Sequence, residues 1–172
     1  MPARAPMIDV FLMPGDYFVG TERHRIRTLL GSCVSITLWH PDRRIGAMSH
    51  FLVTERGQRA DAGLNGRYGE DAMILMLTEL RARGIDPAAC QAKVFGGGIM
   101  FPDLERRGHD GVGRKNGEAA ERLLAQHKIP IVSESRFGIG HRHIIFNVRT
   151  GDVWVRAGEP GDGAVVLSKE RT

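Results

Sequence analysis

Apolar residues recur along this chain in two rhythms, strict alternation and helical spacing, and the alternating segments come first. Ile8 to Met13 is a short apolar stretch. Ile26 to Leu30 runs into Gly31, and Val34 to Trp39 reads V-S-I-T-L-W, rich in β-branched residues, so both segments predict strands. His40-Pro41-Asp42-Arg43-Arg44 predicts a turn, because proline presets φ and aspartate bonds back to the chain. Ile45 to Val53 is then the returning strand of a hairpin. The polar, glycine-rich stretch from Arg56 to Gly69 predicts a mobile loop.

Helical spacing appears next. Glu70 to Arg83 has acidic residues in its first turn, arginines in its last and Gly84 as a stop, and Met73, Ile74, Met76, Leu77 and Leu80 can face a sheet. A second helix is predicted from Asn116 to Lys128, closed by Pro130. Ala92–Phe95, Ile129–Ser133, His143–Val148 and Val153–Arg156 predict further strands, the last two joined at Thr150-Gly151-Asp152. The expectation is one α+β domain over residues 1–172, with 1–6 and 157–172 flexible or peripheral.

Composition narrows the function classes. A chain of 172 residues buries well over half of its unfolded surface and needs no disulfide or metal to hold a core. The longest apolar run, Ala72 to Leu77, is far short of the roughly 20 residues that a membrane span requires. The start, MPARAPMIDV, lacks a signal-peptide pattern, and two cysteines do not make a disulfide framework, so the cytoplasm is the expected compartment. Net charge is +4, yet the basic residues are scattered and no nucleic-acid motif accompanies them. Neither nucleic acid nor membrane insertion is expected.

Candidate chemistry centres on Leu30-Gly31-Ser32-Cys33-Val34. A cysteine among small residues at the mouth of a strand can act as a thiolate nucleophile beside outward-pointing backbone N–H groups. The alternative is a cysteine packed as a small hydrophobe. The hairpin bears on the choice. A four-residue turn over Pro41 to Arg44 pairs His40 with Ile45 and makes paired numbers sum to 85, so His50 faces Ser35. Cys33 is then a diagonal neighbour of His50 on the same face, about 7–8 Å away at the backbone. From there the imidazole would lower the thiol pKa. A register shift of one would put the two on opposite faces. His141 and His143 form at most half of a metal site and read as exposed surface residues. Cys90 reads as a packing residue, and Gly96-Gly97-Gly98 as a close backbone approach rather than a phosphate loop.

These residues resemble the chemoreceptor glutamine deamidases of the CheD family. The resemblance runs from Ile8 to Val155 and centres on TLLGSCVSITLWHPDRRIGAMSHFLV, Thr28 to Val53, with Cys33 and His50 separated by 17 positions as in the family. Further matches are Tyr68 with Asp71 and Ala72, KVFGGGIMF at Lys93 to Phe101, Gly113 with Asn116, and Arg142, Phe146 and Thr150-Gly151. The resemblance implies mixed β-sheets packed with flanking helices, like the cytotoxic necrotizing factor cysteine hydrolases. It implies a protein-glutamine glutaminase in which Cys33 attacks a glutamine amide of a methyl-accepting chemotaxis receptor and His50 carries protons through a thioester. Methylesterase activity is implied as well, and no cofactor or metal. An adaptor that binds receptor or a CheC-type phosphatase with little catalysis is the alternative. Two departures stand out. The family threonine, six residues before the cysteine, is here Arg27, with Thr28 adjacent; in a regular strand a one-residue step points to the other face, so a bulge or a different third group is expected. The family tract D-x-G-G-x-x-[PG]-R is here Ser135 to Arg142, without the aspartate and first glycine.

Overall fold

A computed structural model describes residues 2–52, 63–108 and 111–158, and the backbone of 166–170. Among the described residues, ten strands form two five-stranded sheets. The first contains β1 (Ile8–Phe11), β3 (His24–Leu30), β8 (His141–Asn147), β9 (Val153–Gly158) and β10 (Val166–Glu170), side by side in that order. The second runs β2 (Tyr17–Gly20), β5 (Ile45–Ser49), β4 (Val34–His40), β6 (Gln91–Gly96) and β7 (Ile131–Arg136). Both are mixed, since β1 runs parallel to β3 and β6 to β7 while the other neighbours are antiparallel. Helices α1 (Gly69–Ala82) and α3 (Val112–Gln126) cover one face of the second sheet; the short α2 (Pro102–Arg106) lies between β6 and α3.

This three-layer arrangement gives two apolar cores, and alternation along the strands assigns residues to each. Val34, Ile36 and Leu38 of β4 point toward Met73, Met76, Leu77 and Leu80 of α1 and Leu123 and Leu124 of α3. Met48 and Phe95 point the other way, between the sheets, against Ile26, Leu30, Ile144, Phe146, Val153 and Val155. The α+β class and mixed sheets therefore match expectation, with both long helices on the same side.

Helix α1 ends as its sequence predicts. Gly84 has φ of +75°, and the Ile85 N–H bonds to the Leu80 carbonyl at 3.0 Å, which satisfies a terminal acceptor. Helix α3 begins four residues earlier than expected, and its C-terminal turn closes through Lys128 before Pro130. The sequence reading missed β2, α2 and β10. The expected Arg56–Gly69 loop lies outside the described residues over 56–62, as do Val53 and residues 159–165. The stretch expected to be peripheral supplies β10, an edge strand on β9.

Phe146 joins the layers at the point where Gly46 admits its ring: a Cβ on Gly46 would stand 2.7 Å from the Phe146 ring. Phe146 is fully buried. Phe146→Ala should lower the unfolding free energy by about 3–5 kcal/mol, the usual cost of emptying a buried aromatic position. The urea midpoint should fall with an unchanged m-value; an unmoved midpoint would contradict this packing.

Candidate active site

The loop Gly31–Ser32–Cys33 joins β3 of one sheet to β4 of the other, so it sits where the two sheets meet at one end of the molecule. Backbone and side-chain donors hold it from beneath. The Gly97 N–H bonds to the Cys33 carbonyl and the Gly98 N–H to the Gly31 carbonyl, both at 2.9 Å. Asn116 of α3 donates its amide to the Ser32 carbonyl at 3.0 Å and the Leu52 carbonyl at 3.2 Å. Gly96 has φ of +104°, and a Cβ there would come within 2.2 Å of the Cys33 oxygen. A Cβ on Gly97 or Gly98 would come within 2.6 Å of the Gly113 carbonyl oxygen or 2.5 Å of the Gly140 carbonyl oxygen. The glycine run is thus the close backbone approach expected of it.

Cys33 itself is half-buried, with its side chain against the inter-sheet core. Paired residues of β4 and β5 sum to 85 from His40–Ile45 to Thr37–Met48, and again at the Val34–Phe51 bridge. Between those pairs side chains replace ladder bonds: Ser35 Oγ donates to the Ser49 carbonyl at 2.6 Å, and the Ile36 N–H reaches Ser49 Oγ at 3.3 Å. His50 keeps the parity of Met48 and points between the sheets, the side on which Cys33 lies. Its backbone is gripped from the opposite neighbour, with its N–H on the Asp16 carbonyl at 3.1 Å and its carbonyl receiving the Gly15 N–H at 2.8 Å.

The His50 ring spans the gap to the first sheet. Its Nδ1 lies 2.7 Å from Thr28 Oγ1, and that hydroxyl donates to the Leu12 carbonyl at 2.8 Å. A hydroxyl has one proton, and a carbonyl can only accept. With the proton committed to Leu12, the imidazole must donate from Nδ1, which leaves the lone pair on Nε2. That atom is buried and has no hydrogen-bond partner among the described residues, so Cys33 Sγ is not bonded to it in this conformation.

Thr28 reaches His50 without a bulge. Ile26, Thr28 and Leu30 alternate on the inner face of β3 in regular register with β8. Arg27, at the family threonine position, points outward, where it pairs with Asp9 at 3.1 Å beside Arg25.

Burial decides the protonation states. It pulls the His50 pKa down to about 4, against a weaker upward pull from the Asp16 carboxylate. Burial also pushes the Cys33 thiol up, more strongly than its own backbone N–H draws it down. The expected lowering of the thiol pKa by His50 is therefore absent: the resting pair is a neutral thiol and a neutral imidazole.

The remaining candidates lie elsewhere. Cys90 is 1% exposed in the helix-facing core, its thiol pushed up to about 11 by burial and Asp86. His143 faces outward on β8 against the Phe11 ring, and burial with Arg156 and Arg27 lowers its pKa. Among the described residues no three metal-ligating side chains cluster. In the altered 135–142 tract, the Arg142 guanidinium donates to the Ser135 and Phe137 carbonyls and to Ser135 Oγ. Beside Ser32 an apolar groove of about 240 Å³ runs between Met100, Phe101, Leu104 and Val112, with Phe101 69% exposed. The sequence reading missed the turn from Leu12 to Asp16; Pro14-Gly15, a strong turn dipeptide, was the available signal. No described helix is long and apolar enough to cross a membrane.

Comparison with known proteins agrees with this frame. A family model described as CheD chemotactic sensory transduction matches residues 52–157. The chain is 57% identical over 155 residues to the probable chemoreceptor glutamine deamidase CheD 2 of Albidiferax ferrireducens, covering 90% of each protein. It is 41% identical over 163 residues to the probable chemoreceptor glutamine deamidase CheD 3 of Dechloromonas aromatica, covering 95% of each. Against the probable chemoreceptor glutamine deamidase CheD 1 of Chromobacterium violaceum, identity is 38% over 161 residues, covering 94% of this chain and 83% of that one.

The electrostatics give a measurable pH response. His50 should titrate near pH 4 in an NMR titration, far below the ordinary imidazole value. Between pH 6.5 and 4 the unfolded chain takes up a proton at this position that the fold refuses, so stability should decline as pH falls through that window. Cys33 should be alkylated faster than the enclosed Cys90, with a rate that climbs as pH approaches its raised thiol pKa. A His50 midpoint near 6.5, or equal labelling of both cysteines, would contradict this account.

Proposed function

This chain belongs to the CheD family, and we propose that it deamidates specific glutamines of methyl-accepting chemotaxis receptors with Cys33 as nucleophile and His50 as proton carrier. The observation that supports this most is the Thr28–His50 bond, which leaves the imidazole lone pair on the buried Nε2, on the side where Cys33 lies. A thiol–imidazole pair supplies both nucleophile and base, so the chemistry calls for no cofactor.

As the receptor glutamine enters, Cys33 rotates toward Nε2 and its proton passes to that atom while Sγ bonds to the amide carbon. The carbonyl π electrons move onto oxygen, where backbone N–H groups of the Cys33 loop stabilise the charge. Imidazolium Nε2–H then protonates the amide nitrogen, the C–N bond breaks, and ammonia leaves a thioester. Water gives a proton to Nε2 and attacks the thioester; the C–S bond breaks, the thiolate regains its proton, and glutamate is released. Throughout, Nδ1–H stays on Thr28, backed by the Leu12 carbonyl. A glutamate methyl ester would follow the same steps with methanol as leaving group, which is why receptor methylesterase activity is part of the proposal.

The test is peptide mass spectrometry of a receptor cytoplasmic fragment incubated with protein. Wild type should convert particular glutamines to glutamate; free glutamine should be a poor substrate, because remote contacts must position the amide. Cys33→Ala should abolish turnover yet still bind receptor in a pull-down. Thr28→Ala should lower kcat by on the order of ten- to a hundred-fold by freeing the ring to misalign, while Arg27→Ala leaves kcat unchanged. Receptor binding by wild type without deamidation would favour the adaptor reading, with receptor or a CheC-type phosphatase as its partner. Deamidation persisting in Cys33→Ala would place the nucleophile elsewhere.

A further inference from the structure

Every hydrogen bond that positions His50 traces to one surface turn. Leu12, at its start, is buried in the inter-sheet core and ties its N–H to the Arg27 carbonyl at 2.8 Å. The Leu12 carbonyl takes the Thr28 hydroxyl proton and so selects the imidazole tautomer. Three and four residues on, the Gly15 N–H and the Asp16 carbonyl grip the His50 backbone on both sides. The two ends of this device must keep a fixed spacing, and the segment between them, Met13 and Pro14, is exposed. What closes it is Asp16. Its N–H bonds to the Met13 carbonyl at 2.9 Å, and its carboxylate Oδ2 accepts the Met13 N–H at 2.9 Å. A side chain that caps the N–H three residues back fixes the turn much as an Asx motif does.

We propose that Asp16 is a positioning residue for the proton carrier: by closing the 12–16 turn, its side chain holds the Leu12 and Asp16 carbonyls at the spacing that orients His50. Asp16 is exposed and touches no reacting atom; beside the weak charge effect of its carboxylate on His50, its main part is played through the backbone. The inference rests on the reading of His50 as the base, and the experiment separates the two.

Asp16→Ala removes the cap, whereas Asp16→Asn keeps an acceptor oxygen and removes only the charge. Three measurements are made on full-length protein: kcat and KM with receptor fragment, thermal unfolding, and nitrogen NMR of labelled histidine to read the His50 tautomer. In wild type the spectrum should show Nδ1 protonated and Nε2 bare. Asp16→Ala should lose about ten-fold in kcat with KM nearly unchanged and a mixed His50 tautomer, while unfolding cooperatively. Asp16→Asn should restore both kcat and the single tautomer. The proposal is overturned if Asp16→Ala keeps wild-type kcat and tautomer, or if Asp16→Asn is as slow as Asp16→Ala with its tautomer intact, which would assign the effect to charge. Absence of deamidation by wild type would sink the functional reading while the tautomer comparison still judges Asp16.

Discussion

A single hydroxyl proton sets the tautomer of His50, on which the proposed chemistry of this molecule depends. Thr28 sits between an acceptor that cannot donate, the Leu12 carbonyl, and a ring nitrogen that can do either, His50 Nδ1. The carbonyl takes the threonine proton, and the ring is left with one tautomer. For this to happen, β3 of the first sheet must face β5 of the second closely enough for one histidine side chain to bridge them. The apolar contacts of Ile26, Leu30, Met48, Phe95 and Phe146 hold that gap. The inter-sheet core is thus more than ballast: its thickness is the length of a histidine plus a threonine.

Dryness follows from the same packing and explains the charge state. His50 is 2% exposed, and an imidazolium there would lose its hydration with no carboxylate among the described residues in direct contact to replace it. A neutral ring with a bare Nε2 can accept a proton, which is what the proposed mechanism asks of it. A resting thiolate–imidazolium pair would need stronger compensation than one exposed aspartate offers. The half-buried thiol also stays protected from adventitious oxidants, since the thiolate is the reactive form.

Much of this arrangement was readable in the chain before any coordinates. The register sum of 85 follows from the length of the Pro41–Arg44 turn and holds over the hairpin, where a slip of one would exchange the residues that face the helices with those that face the other sheet. The placement of Thr28 was harder. Counting back from Cys33 gives Arg27, but Gly31 and Ser32 form an irregular turn between sheets, and face alternation does not carry across it. Alternation within β3, Ile26–Thr28–Leu30, carries the answer once the inner face is known. Strand β2 has four residues, Tyr17 to Gly20, and is specified by pairing with β5 rather than by its own pattern. The start of α3 is harder to read because Gly113 and Gly117 lower its helix propensity; Gly113 is a glycine so that the helix can lie against Gly97 and Gly98.

The altered tract between β7 and β8 belongs to the support of the candidate site, one layer behind Cys33. Its chain closes over the glycine run: Phe137 N–H bonds to the Gly96 carbonyl at 2.9 Å, Ile99 N–H to Gly138 at 2.7 Å and Gly140 N–H to Ile99 at 2.9 Å. Phe137 occupies the position of a family glycine and pays for it with φ of +69°, a conformation that costs a non-glycine residue about 1–3 kcal/mol. Its ring offsets that cost. It lies over Gly117, where a Cβ would collide at 2.5 Å, and stands 5.1 Å from the guanidinium groups of both Arg114 and Arg136. At the position of the family aspartate, Ser135 offers Arg142 its Oγ and its carbonyl, and the Phe137 carbonyl accepts from the same guanidinium. These contacts keep the glycines beneath Cys33 clamped between α3 and this loop.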